Sequence, residues 1–199
     1  ITIAEDIPGD KYDFQATPET RSVGKTLSHI ALSTGFQTHI HGNKIDDLKE
    51  VNFPELMTKA MAEEAKSRTK AEIIAMLKTD GEKFAAYLEG LPESFLAEPV
   101  AQPPSIQPLT KSRFEMLLSA KEHEMHHRAQ LMVLQRMIGI VPHITRRMQE
   151  RMRQRMAQAH PGARGLDLAG EPRVLFLQQR VQCRLAVAVA ERAEQPIHE

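Results

Sequence analysis

The chain has 199 residues, 41% hydrophobic and 26% charged, proportions that suit one soluble domain with a real core plus an appendage. Twenty-six basic and twenty-six acidic residues cancel to a formal net charge of zero. Bulk electrostatics therefore argue against nucleic acid or an anionic membrane as a partner. The single cysteine, Cys183, excludes an intrachain disulfide framework.

No basic segment followed by an apolar run marks a secretory signal, and the apolar stretches are too short to span a bilayer. Together with the cysteine usage this suggests a cytoplasmic protein. A start at Ile1 instead of methionine suggests a fragment or a processed product.

Residues 8–20, PGDKYDFQATPET, are dense in turn formers and read as a loop. A helix is predicted from about Val23 to His41, capped by Ser22 and stopped by Gly42-Asn43. Its inward stripe holds Thr26, His29, Ser33, Phe36 and Ile40. A short helix from Phe53 to Ala65 begins around Pro54. Thr69-Lys70-Ala71-Glu72 spells a capping box and opens a stronger helix. That helix carries Ile73, Leu77, Phe84, Leu88 and Leu91 on one side, and Pro92 ends it.

Five prolines between Pro92 and Pro108 then predict a long crossover without regular structure. The next helix is placed from about Thr110 to Ile138, closed by Gly139 and Pro142. After Lys121 every basic residue except histidine is arginine. Residues 145–158 read as a helix with Met148, Met152 and Met156 at four-residue spacing. Its arginines could offer a basic surface to an acidic partner; the preferred reading is a solvated extension whose methionines rest on the rest of the domain. A Gly- and Pro-containing break over 159–170 precedes a last amphipathic segment at 173–193. No strand alternation and no internal repeat stands out, so the fold class is all-α.

Residues 121–131, KEHEMHHRAQL, hold the densest chemistry. On a helix, His123 and His127 are four apart and share a face, where two imidazoles can clasp one divalent ion. Met116, Ala120, Leu134 and Ile138 lie near the same stripe, which turns the pair inward. Two buried imidazoles need partners that a metal would supply. His126 falls about 60° off the stripe and reads as a supporting or surface residue. A third imidazole has to come from another helix, and His29 is the other histidine on an inward stripe. His39, His41, His143, His160 and His198 have no partner at ligand spacing and read as ordinary polar positions.

His123-Glu124-Met125-His126-His127 also matches the H-E-x-x-H of zinc peptidases, in which the glutamate is the general base. The extended form of that motif would put glycine at 130 and histidine at 133, where Gln130 and Val133 stand. A third carboxylate ligand from a later helix has only Glu150 as a near candidate. The peptidase is the weakest of the readings carried.

The chain resembles the DinB family of metal-binding helical bundles. The matching residues are Ile7-Pro8-Gly9-Asp10-Lys11-Tyr12-Asp13-Phe14, the run Ser22-Val23-Gly24-Lys25-Thr26-Leu27-Ser28-His29-Ile30-Ala31, and Lys121 to Leu131. Ile138-Gly139-Ile140-Val141-Pro142 fits the family's usual ending. The resemblance implies a four-helix bundle with a long crossover over residues 1–158, followed by an extension at 159–199 with no family counterpart. The family's opening helix would precede the Pro8 loop, where only Ile1 to Ile7 stand, so that helix is expected to be mostly missing. The resemblance further implies a divalent ion such as zinc, nickel or manganese on His29, His123 and His127, and often a homodimer. Characterised members include transferases that use bacillithiol, mycothiol or glutathione, and a maleylpyruvate isomerase. The implied function is a metal-dependent thiol S-transferase with a small thiol and an electrophile as partners. The alternative is a non-catalytic bundle serving stress response or interaction. Cys183 lies outside the matching region and is a poor nucleophile candidate.

Overall fold

The computed structural model describes residues 1–159, and the chain divides into two compact units, Ile1–Gln149 and Glu150–Glu199. The elements in order are α1 (Thr2–Asp6), α2 (Val23–Gly42), α3 (Phe53–Ala65), α4 (Lys70–Glu89), α5 (Glu93–Leu96), β1 (Pro99–Ala101), β2 (Thr110–Ser112), α6 (Arg113–Met137) and α7 (His143–Ala159). Helix α1 is five residues long. No described helix is long and apolar enough to cross a membrane.

Helix α2 is the axis of the first unit, with α4, α6 and α3 packed around it. It starts where Ser22 Oγ accepts the Lys25 amide. The preceding loop is tied to that start. The Gly24 amide donates to Tyr12 O at 2.8 Å, and Tyr12 Oη donates to Ala4 O at 2.7 Å. A Cβ on Gly24 would stand 3.2 Å from that same carbonyl, so the close approach of loop to helix favours glycine. Because α2 is surrounded on several sides, its buried set is broader than one stripe. Thr26 and Ile40 are buried as expected, along with Leu27, Ala31, Gln37 and His41, while His29, Ser33 and Phe36 are half-buried.

Two apolar clusters hold the unit together. One joins Ile3, Ile7, Val23, Leu27, Ile73 and Leu131. The other joins Ile40, Leu48, Val51, Val100 and Met116. Each buried side chain of this size contributes roughly 1.5–3 kcal/mol before entropy is counted. Leu27 shares a cluster with Leu131, and Ile40 with Met116, so α2 and α6 run antiparallel. His29 on α2, and His123 and His127 on α6, fall in sequence between the anchoring residues. The clusters therefore fix both helices on either side of the histidines.

The capping box at Thr69 forms as read, with Thr69 accepting from the Glu72 amide and Glu72 from the Thr69 amide. The stripe of α4 is less enclosed than expected. Ile73 is buried, Leu77 and Phe84 are half-buried, Leu88 is exposed, and Leu91 lies beyond the helix end. The half-exposed part borders an apolar groove shared with Ile1, Phe114 and Leu118.

The crossover corrects the sequence reading twice. It contains α5 and an antiparallel pair, with Pro99 opposite Ser112 and Ala101 opposite Thr110. Thr110 therefore belongs to a strand, and α6 begins at Arg113. A capping box of Ser112 and Glu115 starts that helix. The pair is clipped to the α2–α3 connection by the Ala101 amide, 2.7 Å from Asp46 O. Gly139 ends α6 at φ 83°, a conformation that suits glycine, and the Ile140 amide caps Gln135 O at 2.8 Å.

On α7 no residue is buried; Met148, Met152 and Met156 are each more than half exposed. Met148, within the first unit, is therefore not packed as the sequence reading expects. The predicted segment at 173–193, Cys183, His160 and His198 lie outside the described residues.

Candidate metal centre

His29, His123 and His127 come together, each offering one ring nitrogen within 4.8 Å of the others. His123 Nε2 is the hub, 3.0 Å from His29 Nε2 and 3.1 Å from His127 Nε2. For an ion with metal–nitrogen bonds of about 2.0–2.1 Å, tetrahedral geometry puts ligand nitrogens about 3.3 Å apart. Two of the observed separations are within a few tenths of an ångström of that value.

The outer ring nitrogens explain why the inner ones face each other. His29 Nδ1 lies 2.9 Å from Glu64 Oε2, on α3. Arg21 holds the other oxygen of the same carboxylate. Burial pushes the Glu64 carboxyl up, but Arg21, by hydrogen bond and charge, outweighs it with help from His29 and keeps Glu64 below the ordinary carboxylate range. An ionised Glu64 only accepts, so in the neutral His29 ring the proton sits on Nδ1 and the lone pair on Nε2. One turn after His127, Gln130 Oε1 lies 2.8 Å from His127 Nδ1 and selects the same tautomer there. Gln130 Nε2 in turn lies 3.0 Å from His126 Nε2, and the His126 ring meets His127 edge-on.

Two lone pairs thus converge on His123. If His123 Nε2 carried the proton, it could satisfy one of them, leaving Nδ1 as the bare acceptor. That Nδ1 is buried with no hydrogen-bond partner among the described residues. A shared cation at the centre removes the conflict for all three rings. Burial, followed by the charges of His127, His29, His126 and Arg21, pushes the His123 imidazolium down to about 4. Burial also lowers His127 despite the opposing bond from Gln130. Both shifts favour the neutral ring, the state that ligates.

The other predicted positions separate clearly. His126 is exposed and acts through Gln130, a supporting place. His39 is exposed, and His143 is half-buried. His41 is not an ordinary polar position. It is 1% exposed, its Nε2 is 3.2 Å from Gln37 Oε1, and its Nδ1 is 3.4 Å from Arg113 Nη1. Arg113, equally buried, donates to Ile45 O at 2.9 Å and reaches Glu98 Oε2 at 2.9 Å. Glu124 is exposed and 3.9 Å from Arg128. Glu150 is exposed and engages Arg153 and Gln154. Neither carboxylate is among the three-histidine ligand set.

Sequence reasoning missed Glu64 and Gln130. Gln130 was accessible, because a residue three positions after a ligand histidine shares its face. Glu64 carries no such signal; it reaches His29 only because α3 folds back across α2.

The fold and the sequence agree with known proteins. The chain is similar to a DinB-like protein from Bacillus subtilis of known crystal structure, at 22% identity and a TM-score of 0.51, over 71% of this chain and 85% of that one. At that identity the likeness speaks for the fold alone. No curated protein matches the chain. The family model of the DinB family matches residues 1–158, and the chain belongs to the DinB family.

Proposed function

We propose that this chain is a metal-dependent thiol S-transferase in which His29, His123 and His127 hold a divalent ion. The observation that carries the reading is the convergence of three Nε2 atoms, two of them with lone pairs set inward by Glu64 and Gln130. Imidazole ligands suit zinc, nickel or manganese. When bound, the ion supplies positive charge that favours thiolate over thiol at neutral pH.

The protein's own part is positional. Glu64 and Gln130 keep the Nδ1 protons of His29 and His127 in place, and Arg21 keeps Glu64 ionised. In the transfer, the thiol sulfur bonds to an electrophilic carbon, the leaving group departs with the electron pair of its bond, and the thiol proton passes to water. No protein nucleophile is needed.

The test is metal content per chain, by elemental mass spectrometry, in the wild type and in His29→Ala, with conjugation of small thiols to an electrophile assayed on the same samples. About one ion per chain, lost together with conjugation in the variant, supports the reading. Unchanged metal in His29→Ala overturns the three-histidine assignment. Metal without conjugation for any thiol leaves the non-catalytic bundle.

A further inference from the structure

Beside the imidazoles, α2, α3 and α6 enclose a cleft of about 590 Å³, within the size range of small-molecule sites. His29 and His123 form part of its wall. The apolar wall is built by Leu32, Phe36, Phe53, Leu56, Met57 and Ala60. The Phe36 and Phe53 rings lie 5.9 Å apart and tilted by 33°, and both pack against the second apolar cluster, which holds them in place. Such a pair offers a flat ring both a face and an edge.

The charged groups on the same wall are already matched. Lys59 Nζ is 2.6 Å from Glu55 Oε1. Glu63 pairs with Lys66 and Arg68, and Glu64 with Arg21 and His29. Gln37 Nε2 donates to Ser119 Oγ at 3.1 Å, and Ser33 Oγ donates to Ile30 O at 2.8 Å. Away from the imidazoles, a charged ligand entering here would shed water and find no free counter-charge. Small cellular thiols carry carboxylates, ammonium groups or sugar hydroxyls, so the cleft suits them poorly.

We infer that this cleft seats the acceptor substrate, and that the acceptor is an uncharged, apolar compound with an aromatic ring. The inference rests on the transferase reading for the word acceptor; the binding preference stands on the cleft itself.

The test uses the purified chain, its metal content read first and the ion then removed with chelator so that no carboxylate can ligate it, with 1-naphthol and 1-naphthoate as probes of equal ring size and different charge. The chain has no tryptophan, so naphthol fluorescence is read against a low background. Ala60→Phe fills the cleft, and Ala85→Phe, in the separate groove beside α4, serves as the control. The expected result is naphthol binding about tenfold tighter than naphthoate, weakened about tenfold by Ala60→Phe and unchanged by Ala85→Phe. Should Ala60→Phe lose its helical signal, Met57→Lys, at an exposed position, replaces it and should shift preference toward naphthoate. Equal binding of the two probes, or sensitivity only to Ala85→Phe, overturns the inference. Metal content on the same samples separates the two readings. Cleft-dependent naphthol binding without metal sustains the apolar cleft and removes the transferase. One ion per chain without naphthol binding does the reverse.

Discussion

Glu64 Oε2 lies 2.9 Å from His29 Nδ1, although the two residues belong to different helices and stand thirty-five positions apart. The contact orients a ring whose far nitrogen points at two other imidazoles. It also explains a half-buried carboxylate: Glu64 has Arg21 on one oxygen and His29 on the other. Glu64→Gln should therefore weaken divalent-ion binding by about 10–100-fold while leaving the helical content intact. Competition against a chromophoric chelator measures this directly. An affinity within about twofold of wild type would show that the carboxylate does not support the ligand.

An ion bridging α2 and α6 ties together two helices that pack directly against each other. Binding at 100 times the dissociation constant adds about 2.7 kcal/mol, which for a domain of this size raises Tm by roughly 5–10 °C. A strong chelator should remove that increment from the wild type and change little in His123→Ala. Thermal scans with and without chelator check both arms. Equal shifts in the two proteins would place the ion elsewhere.

Glu124 separates the transferase from the peptidase. Its carboxylate is exposed, on the Arg128 side of α6, and is not needed to set any of the three ring tautomers. Glu124→Gln should keep metal content and thiol conjugation within about twofold of wild type, since exposed ion pairs of this kind contribute little. A hydrolase using Glu124 as base would lose its rate altogether. Peptide hydrolysis by the wild type that vanishes in Glu124→Gln with metal retained would reverse the assignment.

Local signals located the helices that frame the site. Ser22 and Gly42-Asn43 bracket α2 to within a residue, and Pro54 marks the start of α3 as closely. The four-residue spacing of His123 and His127 marks their shared face, and the stripe of α2 singles out His29. What stayed hidden depends on distant partners. The β1–β2 pair has three residues on each side, too few for an alternation to show, and it exists because Pro99 meets Ser112 across the crossover. Ser112-x-x-Glu115 was a readable capping box that would have moved the start of α6 from Thr110 to Arg113. His41 resembles any helix-end histidine until Arg113, seventy-two positions on, closes over it. The solvent-facing methionines of α7 could not be told from a packed stripe, because spacing describes a face and not its occupant.

That buried pair also predicts how the fold responds to acid. Burial, and then the charge of Arg113, pushes the His41 imidazolium from the ordinary 6.5 down to about 4. In the folded chain the ring is neutral over a range in which the unfolded chain already takes up a proton. Unfolding therefore binds a proton between about pH 6.5 and 4, and stability falls as pH drops through that window. Above the window the full stability is present. Between pH 7.5 and pH 5 the loss from this ring is roughly 2 kcal/mol. His41→Gln lacks the titrating ring and can still engage Gln37, so its stability should fall less over the same interval. His123 and His127 are intact in both proteins, so their contribution cancels in the difference. Urea unfolding of wild type and variant at the two pH values, in chelator, reads that difference. Parallel losses would mean that His41 is protonated within the fold, with Glu98 and Gln37 rearranged to accept it.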